Sequence, residues 1–171
     1  SDLFRAIQQH PKLIIAQVHG SALAGGCGLA TVCDLCYATP DANFGYTEVN
    51  IGFIPAIVSY YLLRKTGETR AKELLLTGKW LKGDEAVNYN LITAVFPAES
   101  LDEEVVKCAT KVAYNTSSSS VAMTKELMAE IFTKSPDEAM ILATEKNAEA
   151  RATDDCKKGI HAFLHKQKIV W

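Results

Sequence analysis

The chain has 171 residues, of which 48% are hydrophobic and 22% charged, and its formal net charge is −2. That describes one ordinary globular domain with enough chain for a sizeable core, and no cluster of Lys/Arg or aromatic–basic interleaving marks a nucleic-acid binder. The longest apolar run, Phe53 to Leu63, is too short to span a bilayer and is broken by Pro55.

In chain order, Asp2 to Gln9 reads as an amphipathic helix closed by His10-Pro11, and the start Ser1-Asp2-Leu3-Phe4-Arg5 lacks the charged and apolar regions of a signal peptide. Leu13 to Val18 is a short apolar, β-branched run and predicts a buried strand. A glycine-rich turn follows, then a small apolar helix through Leu29-Ala30-Thr31-Val32-Cys33 and a strand near Cys36 to Thr39, ended by Pro40-Asp41. Two helices, about Ala56 to Lys65 and Glu68 to Leu76, are divided by Thr66-Gly67. Asp84 to Tyr89 predicts a short helix and Thr93 to Phe96 a short strand. From Pro97 onward the pattern is helical. Ser135-Pro136-Asp137-Glu138 is a capping box with proline at the first helical position, and one serine of Ser117 to Ser120 caps a helix Val121 to Phe132. Strands mixed with helices early and helices alone late predict an α/β core over 1–96 and a helical region over 97–171.

The glycine-rich turn carries the chemistry. His19-Gly20-Ser21-Ala22-Leu23-Ala24-Gly25-Gly26-Cys27-Gly28 leads from a strand into a helix, which leaves free N–H groups at the helix start with no Cβ in the way of a ligand oxygen. No Gly-Lys-Ser/Thr follows, so this is not a nucleotide P-loop, and the spacing of Gly20, Gly25, Gly26 and Gly28 fails the dinucleotide fingerprint. No Ser, Cys or Lys with a partner base stands at the turn, so it suits an oxyanion better than a nucleophile. The competing explanation is that the glycines only let a helix pack closely on a strand.

Five cysteines are scattered through apolar contexts, and Cys33-Asp34-Leu35-Cys36 spells C-x-x-C. Without a second pair or a histidine at ligand spacing, buried reduced thiols in a cytoplasmic protein explain them better than a metal or redox site.

A second segment, Ala42-Asn43-Phe44-Gly45-Tyr46-Thr47-Glu48-Val49-Asn50-Ile51-Gly52-Phe53-Ile54-Pro55, places Glu48 among Phe44, Val49, Ile51 and Phe53, an apolar surround that favours the neutral carboxyl. The glycine turn, Cys33-Asp34 and this segment together resemble the crotonase superfamily of enoyl-CoA hydratases and isomerases. The likeness continues through Thr77-Gly78, Ala86, Leu91-Ile92, Val95-Phe96-Pro97 and Ala162-Phe163-Leu164-His165-Lys166. It implies a ββα superhelical core with a C-terminal helical region, assembly as a homotrimer or homohexamer, and an acyl-CoA thioester as substrate. Coenzyme A would be part of that substrate, with no separate cofactor and no metal. It also implies roughly ninety further residues upstream of Pro11, about half a domain, so that the strand Leu13 to Val18 has an unpaired edge here.

The resemblance implies that the Gly25 N–H is one of two oxyanion donors, the second lying upstream, and that Glu48 is the catalytic carboxylate. Ala22, Leu23, Ala24, Gly26, Gly28 and Phe53 would contact substrate, and Lys166 would reach CoA phosphates, though Lys157, Lys158 and Lys168 make a generic basic helix end equally good. His19, at the strand end, is expected to be a hydrogen-bonded residue rather than a general acid, and His161 and His165 surface or interface residues. One departure matters: hydratases of the best-known type carry a second glutamate directly after Gly-Gly-Cys, where this chain has Gly28. Three readings follow: a hydratase working with Glu48 alone, a Δ3,Δ2-enoyl-CoA isomerase needing one carboxylate, or an acyl-CoA binder without turnover. The Glu48 neighbourhood is similar to that of methylglutaconyl-CoA and branched-acyl hydratases. The expectation is a hydratase in which Gly28 leaves room for a water and would accept Gly28→Glu.

Overall fold

Two ββα units stacked in register open the chain in the computed structural model, which describes residues 1–171. In the first, β1 (Ile15–Val18) and β2 (Ser21–Leu23) lead into α2 (Gly25–Val32), after an initial helix α1 (Asp2–Gln9). In the second, β3 (Leu35–Ala38) and β4 (Asn43–Gly45) lead through a 3-10 turn, Glu48–Ile51, into α3 (Ala56–Thr77). β1 pairs in parallel with β3 from Ile15↔Leu35 to Val18↔Ala38, and β2 in parallel with β4 from Ser21↔Asn43 to Leu23↔Gly45. Each strand of one unit therefore lies beside its counterpart in the next, which is the ββα superhelix. β5 (Trp80–Lys82) joins β4 antiparallel, and after α4 (Gly83–Asn88) the strand β6 (Ala94–Val95) joins β3 in parallel.

β1 has a neighbour on one side only, as expected of that strand. Its entry is tied down by Asp34, whose Oδ2 accepts the Ile14 N–H at 2.7 Å. β2, β4 and β5 have no counterpart in the sequence-based expectation. Each is three residues long and glycine-flanked, too short for a period-2 pattern to register. The helix break at Thr66-Gly67 is real, with Gly67 at φ 76° and ψ 167° inside α3.

The core forms where the alternate strand positions and the inner helix faces meet. Phe44, Tyr46, Leu62, Leu74, Leu81 and Leu91 are fully buried there, among Ala22, Ala30, Ala38, Ala42, Ala71 and Ala86, whose small side chains let the layers approach. Burying one such leucine is worth ~2 kcal/mol. α2 is buried on most sides, so its last carbonyls cannot reach water. The Lys65 ammonium supplies the donors, bonding Thr31 O at 2.9 Å and Cys33 O at 3.3 Å, and burial lowers its pKa from the ordinary lysine value. Cys33 and Cys36 are both buried, and burial pushes the Cys36 thiol up to about 12, so it stays protonated.

The chain divides into two compact units, 1–7 with 14–107, and 8–13 with 108–171. α5 (Ala98–Asn115) begins in the first and ends in the second. The second unit holds α6 (Ser118–Ile131), α7 (Pro136–Ala152) and α8 (Asp154–Leu164). The capping box at Ser135 and Glu138 forms, and Ser117 caps α6 by accepting the Ser120 N–H at 3.1 Å. α6 thus starts three residues before the expected Val121. No helix is long and apolar enough to cross a membrane.

Asp155 links two helix starts in this unit. Standing in the first turn of α8, it accepts hydrogen bonds from Ser117 Oγ at 2.6 Å and Ser119 Oγ at 2.7 Å, beside the start of α6. These bonds hold its carboxyl below the usual value of 3.8. A depressed folded value means that the stabilisation is complete above 3.8 and is lost as pH falls through the lower folded value. Asp155→Asn is expected to lower the thermal midpoint at neutral pH and to make the acid-side decline of the midpoint shallower. Superimposable midpoint–pH curves for the two proteins would refute the link.

Candidate active site

The β2–β4 register brings the two singled-out segments together. Leu23 stands opposite Gly45, and the Ala24 N–H donates to Gly45 O at 2.8 Å. Both chains leave the sheet at the same end, about one strand spacing (~4.8 Å) apart. One reaches Gly25 two residues on, and the other reaches Glu48 three residues on.

On the first branch, the turn into α2 is made at Ala24, which sits at φ 48° and ψ −123°. For a residue with a Cβ this is a strained conformation, on the order of 1–3 kcal/mol. It lets the chain turn from strand to helix within one residue and leaves Gly25 as the first residue of α2. The Gly25 N–H has no acceptor in the protein, whereas the Gly28 N–H bonds Ala24 O at 3.0 Å. Gly25 and Gly26 are exposed, and a Cβ at either would meet nothing within 4 Å. Ala22 is buried, and Leu23 and Ala24 are half-buried, so Gly25 and Gly26 are the accessible part of this segment.

On the second branch, Glu48 begins the 3-10 turn with only 9% of its surface exposed, and its Oε2 is buried without a hydrogen-bond partner. The turn is closed by the Phe53 N–H donating to Glu48 O at 3.0 Å and by Gly52 at φ 76°. Asn50 lies flat against Gly78, the left-handed residue that ends α3; a Cβ there would stand 2.7 Å from Asn50 Nδ2. Cys27, Thr31 and Tyr46 form the buried layer near Glu48. Tyr46 Oη and Thr31 Oγ1 are 2.6 Å apart, and Thr31 Oγ1 donates to Cys27 O at 2.8 Å. Burial, with a smaller contribution from the Glu48 charge, pushes the Cys27 thiol up to about 11 and the Tyr46 hydroxyl well above its ordinary value. Both are therefore neutral partners of a carboxylate.

Two expectations need correcting. The apolar surround of Glu48 is not built from Ile51 and Phe53, which are 83% and 64% exposed; Phe44 is fully buried, and the Cys27–Tyr46 layer does the enclosing. Apolar neighbours in sequence imply an apolar surround only if they point inward, and a 3-10 turn sends successive side chains in three directions. Nor does Gly28 leave room for a water. It is buried, and a Cβ there would stand 2.1 Å from Val58 Cγ1 and 3.2 Å from Phe4 Cζ, so a glutamate has no seat.

His19 follows β1 directly and is exposed, with its Nε2 2.9 Å from Gln17 Nε2 and 3.3 Å from Asp102 Oδ1. Lys166 belongs to the second unit, exposed, at φ 52° just after α8. His161 and His165 are exposed there, with their rings stacked at 4.1 Å. No local pattern marks Val58 or Lys65; Asn50 has one only in retrospect, through the Thr77-Gly78 pair it touches.

A buried carboxylate oxygen without a donor and a backbone donor without an acceptor thus follow the same ends of the paired strands β2 and β4. The family model for enoyl-CoA hydratase/isomerase matches residues 1–171, and the chain belongs to that family, with its crotonase fold. It is 41% identical over 165 residues to a putative enoyl-CoA hydratase of Thermus thermophilus, covering 96% of this chain and 65% of that protein. With the mitochondrial enoyl-CoA hydratase of Pongo abelii it shares 37% identity over 163 residues, covering 95% and 56% respectively. The crystal structure of an enoyl-CoA hydratase from Mycobacterium smegmatis superimposes with a TM-score of 0.93 at 33% identity, covering 99% of this chain and 66% of that one. The chain thus spans less than two thirds of these curated relatives.

Ala24 gives the site a measurable signature. Ala24→Gly removes the Cβ strain and is expected to raise stability by up to about 1 kcal/mol, the larger flexibility of unfolded glycine offsetting part of the gain. A relaxed turn holds the Gly25 N–H less firmly, so turnover by the full-length protein is expected to fall. Denaturant melts and initial rates measured together test this; a variant both less stable and fully active would contradict it.

Proposed function

We propose that the chain carries the acid–base half of an enoyl-CoA hydratase, adding water to a 2-enoyl-CoA thioester. The observation that carries this is Glu48 Oε2, buried and without a partner at the strand end next to the free Gly25 N–H. In the step, Glu48 takes a proton from water as the water oxygen bonds C3. The C2=C3 electron pair moves toward the thioester, whose carbonyl oxygen becomes an enolate oxygen held by the Gly25 N–H at the positive end of α2. Glu48 then returns its proton to C2 on the same face. Phe53 and the backbone from Ala22 to Gly26 line the acyl side. The names of the similar proteins, hydratases in Thermus thermophilus and Pongo abelii, support this choice of reaction.

One observation favours a second reading. Val58 fills the place over Gly28, so no second carboxylate enters at position 28. A Δ3,Δ2-enoyl-CoA isomerase needs no more: Glu48 would take a proton from C2 and deliver it to C4 while the double bond moves into conjugation.

Two substrates separate the readings in the full-length protein. A 2-enoyl-CoA loses its conjugated absorbance on hydration, and a 3-enoyl-CoA gains it on isomerisation; loss is expected. Gain without loss would make the protein an isomerase, and binding without either would make it an acyl-CoA binder. Glu48→Gln is expected to lower kcat on the order of 10²–10⁴-fold while keeping or raising the thermal midpoint, because it removes a buried carboxylate with an unpaired oxygen.

The assembly proposed is a homotrimer or a homohexamer. Met128, Phe132, Met140, Ile141, Ile160 and Phe163 are exposed on or just after the helices of the second unit, apolar side chains that assembly would bury. Light scattering of the full-length protein at micromolar concentration is expected to give three or six chains; a monomer would overturn the assembly.

A further inference from the structure

Gly28 lies one helical turn after the Gly25 donor on α2, and Val58 lies in the first turn of α3, seven residues after the 3-10 turn that begins with Glu48 ends. Their contact is unusually close. A Cβ at Gly28 would stand 2.1 Å from Val58 Cγ1 and 3.1 Å from Val58 Cβ, where ordinary contact begins at 3.4 Å. The isopropyl group of Val58 thus fills a notch that only glycine leaves. A valine in a helix has one strongly preferred χ1, and Phe4 closes the notch from another side, so Val58 cannot swing clear without moving its helix.

The Glu48 turn is also tied to both halves of α3, the one before and the one after the break at Gly67. At the start of α3 the chain runs from Glu48 through Phe53 and Pro55 into the helix, and at its end Asn50 is pressed against Gly78. A shift of α2 along α3 therefore moves the Gly25 N–H relative to the Glu48 carboxylate. We infer that Val58, seated in the Gly28 notch, is a positioning residue that sets the separation between the oxyanion donor and the acid–base carboxylate. This rests on the functional reading above, in which those two groups act on one substrate. It also makes positions 28 and 58 a single steric unit, so a side chain enters at 28 only when 58 is cut back.

The test is a four-member cycle in the full-length protein: wild type, Gly28→Ala, Val58→Ala and the double variant. Each is read by denaturant unfolding, by kcat and KM on the active enoyl-CoA, and by the enolate absorbance of bound acetoacetyl-CoA. That thioester needs both a carboxylate and an oxyanion donor to hold its enolate, whichever reaction the enzyme catalyses. Relieving the 2.1 Å contact asks for a displacement of about 1 Å, and a misplacement of that size costs on the order of 100-fold in rate. Gly28→Ala is therefore expected to lower kcat by about that factor with KM little changed, and to lose the enolate band. Adding Val58→Ala is expected to restore kcat to within about threefold of the Val58→Ala single variant, because the two losses do not add. Full activity in Gly28→Ala, or losses that add independently in unfolding and in the enolate band, would overturn the inference. If the losses couple and the enolate band follows them while wild type turns over neither 2- nor 3-enoyl-CoA, the positioning role stands and the proposed reaction falls.

Discussion

Three parallel residue pairs, Ser21↔Asn43, Ala22↔Phe44 and Leu23↔Gly45, decide where the chemistry of this chain can be. They hold β2 and β4 side by side with their C-terminal ends level, so that the next residues of each strand emerge into the same space. Because side chains alternate along a strand, slipping the register by one residue would turn Phe44 out of the core and Gly45 away from Ala24. Phe44 is fully buried, and Gly45 leaves only a hydrogen where a Cβ would crowd the Trp80 ring at 3.1 Å. Register, core and site are thus one constraint. The Ala24 N–H to Gly45 O bond carries the pairing one step past the strands, to the residue where the backbone turns.

α2 shows how a buried helix can present a reactive end. Its interior faces are small and neutral: Cys27, Ala30, Thr31 and Val32 are buried, and the Cys27 thiol is held protonated by its surroundings. At one end the carbonyls are satisfied by the Lys65 ammonium, and at the other the Gly25 N–H is left open. A cation at the C-terminus and an unfilled N-terminus both follow the direction of the helix dipole. Burial costs the Lys65 ammonium part of its charge stability, as its lowered pKa records, and the nearby Asp34 charge opposes that shift.

Much of this was legible in the sequence, and the parts that were not share a cause. α1, β1, β3, α4, the break at Gly67 and the capping box at Ser135 announce themselves through local patterns, and the glycine turn and Glu48 through residue types that only a few chemistries need. β2 and β4, which join those two segments, are too short to show a period, so the sequence displayed the groups without the geometry between them. Gly28 was misjudged for a related reason. A missing side chain reads as empty space, but in a close-packed interior a neighbour takes the volume, and nothing local to Gly28 names Val58, thirty positions further along the chain.

Three departures from good local practice are gathered in one place, while Asn90 and Lys166 take positive φ elsewhere. Ala24 at positive φ, the Gly25 N–H without an acceptor and the Glu48 Oε2 without a donor all stand at the level ends of β2 and β4. Elsewhere caps, turns and buried hydroxyls find their partners, as Thr31, Thr66 and Ser117 do. On the proposed reading, those three exceptions are kept for a ligand. The two orphans are also complementary in kind: one needs an acceptor and the other a donor. A thioester carbonyl answers the first, and a water or an acidic C–H at the neighbouring carbon answers the second. On the proposed reading, a single substrate relieves both at once, and most fully when charge has moved onto the carbonyl oxygen and the proton onto Glu48, which is how such a pair favours the transition state over the ground state.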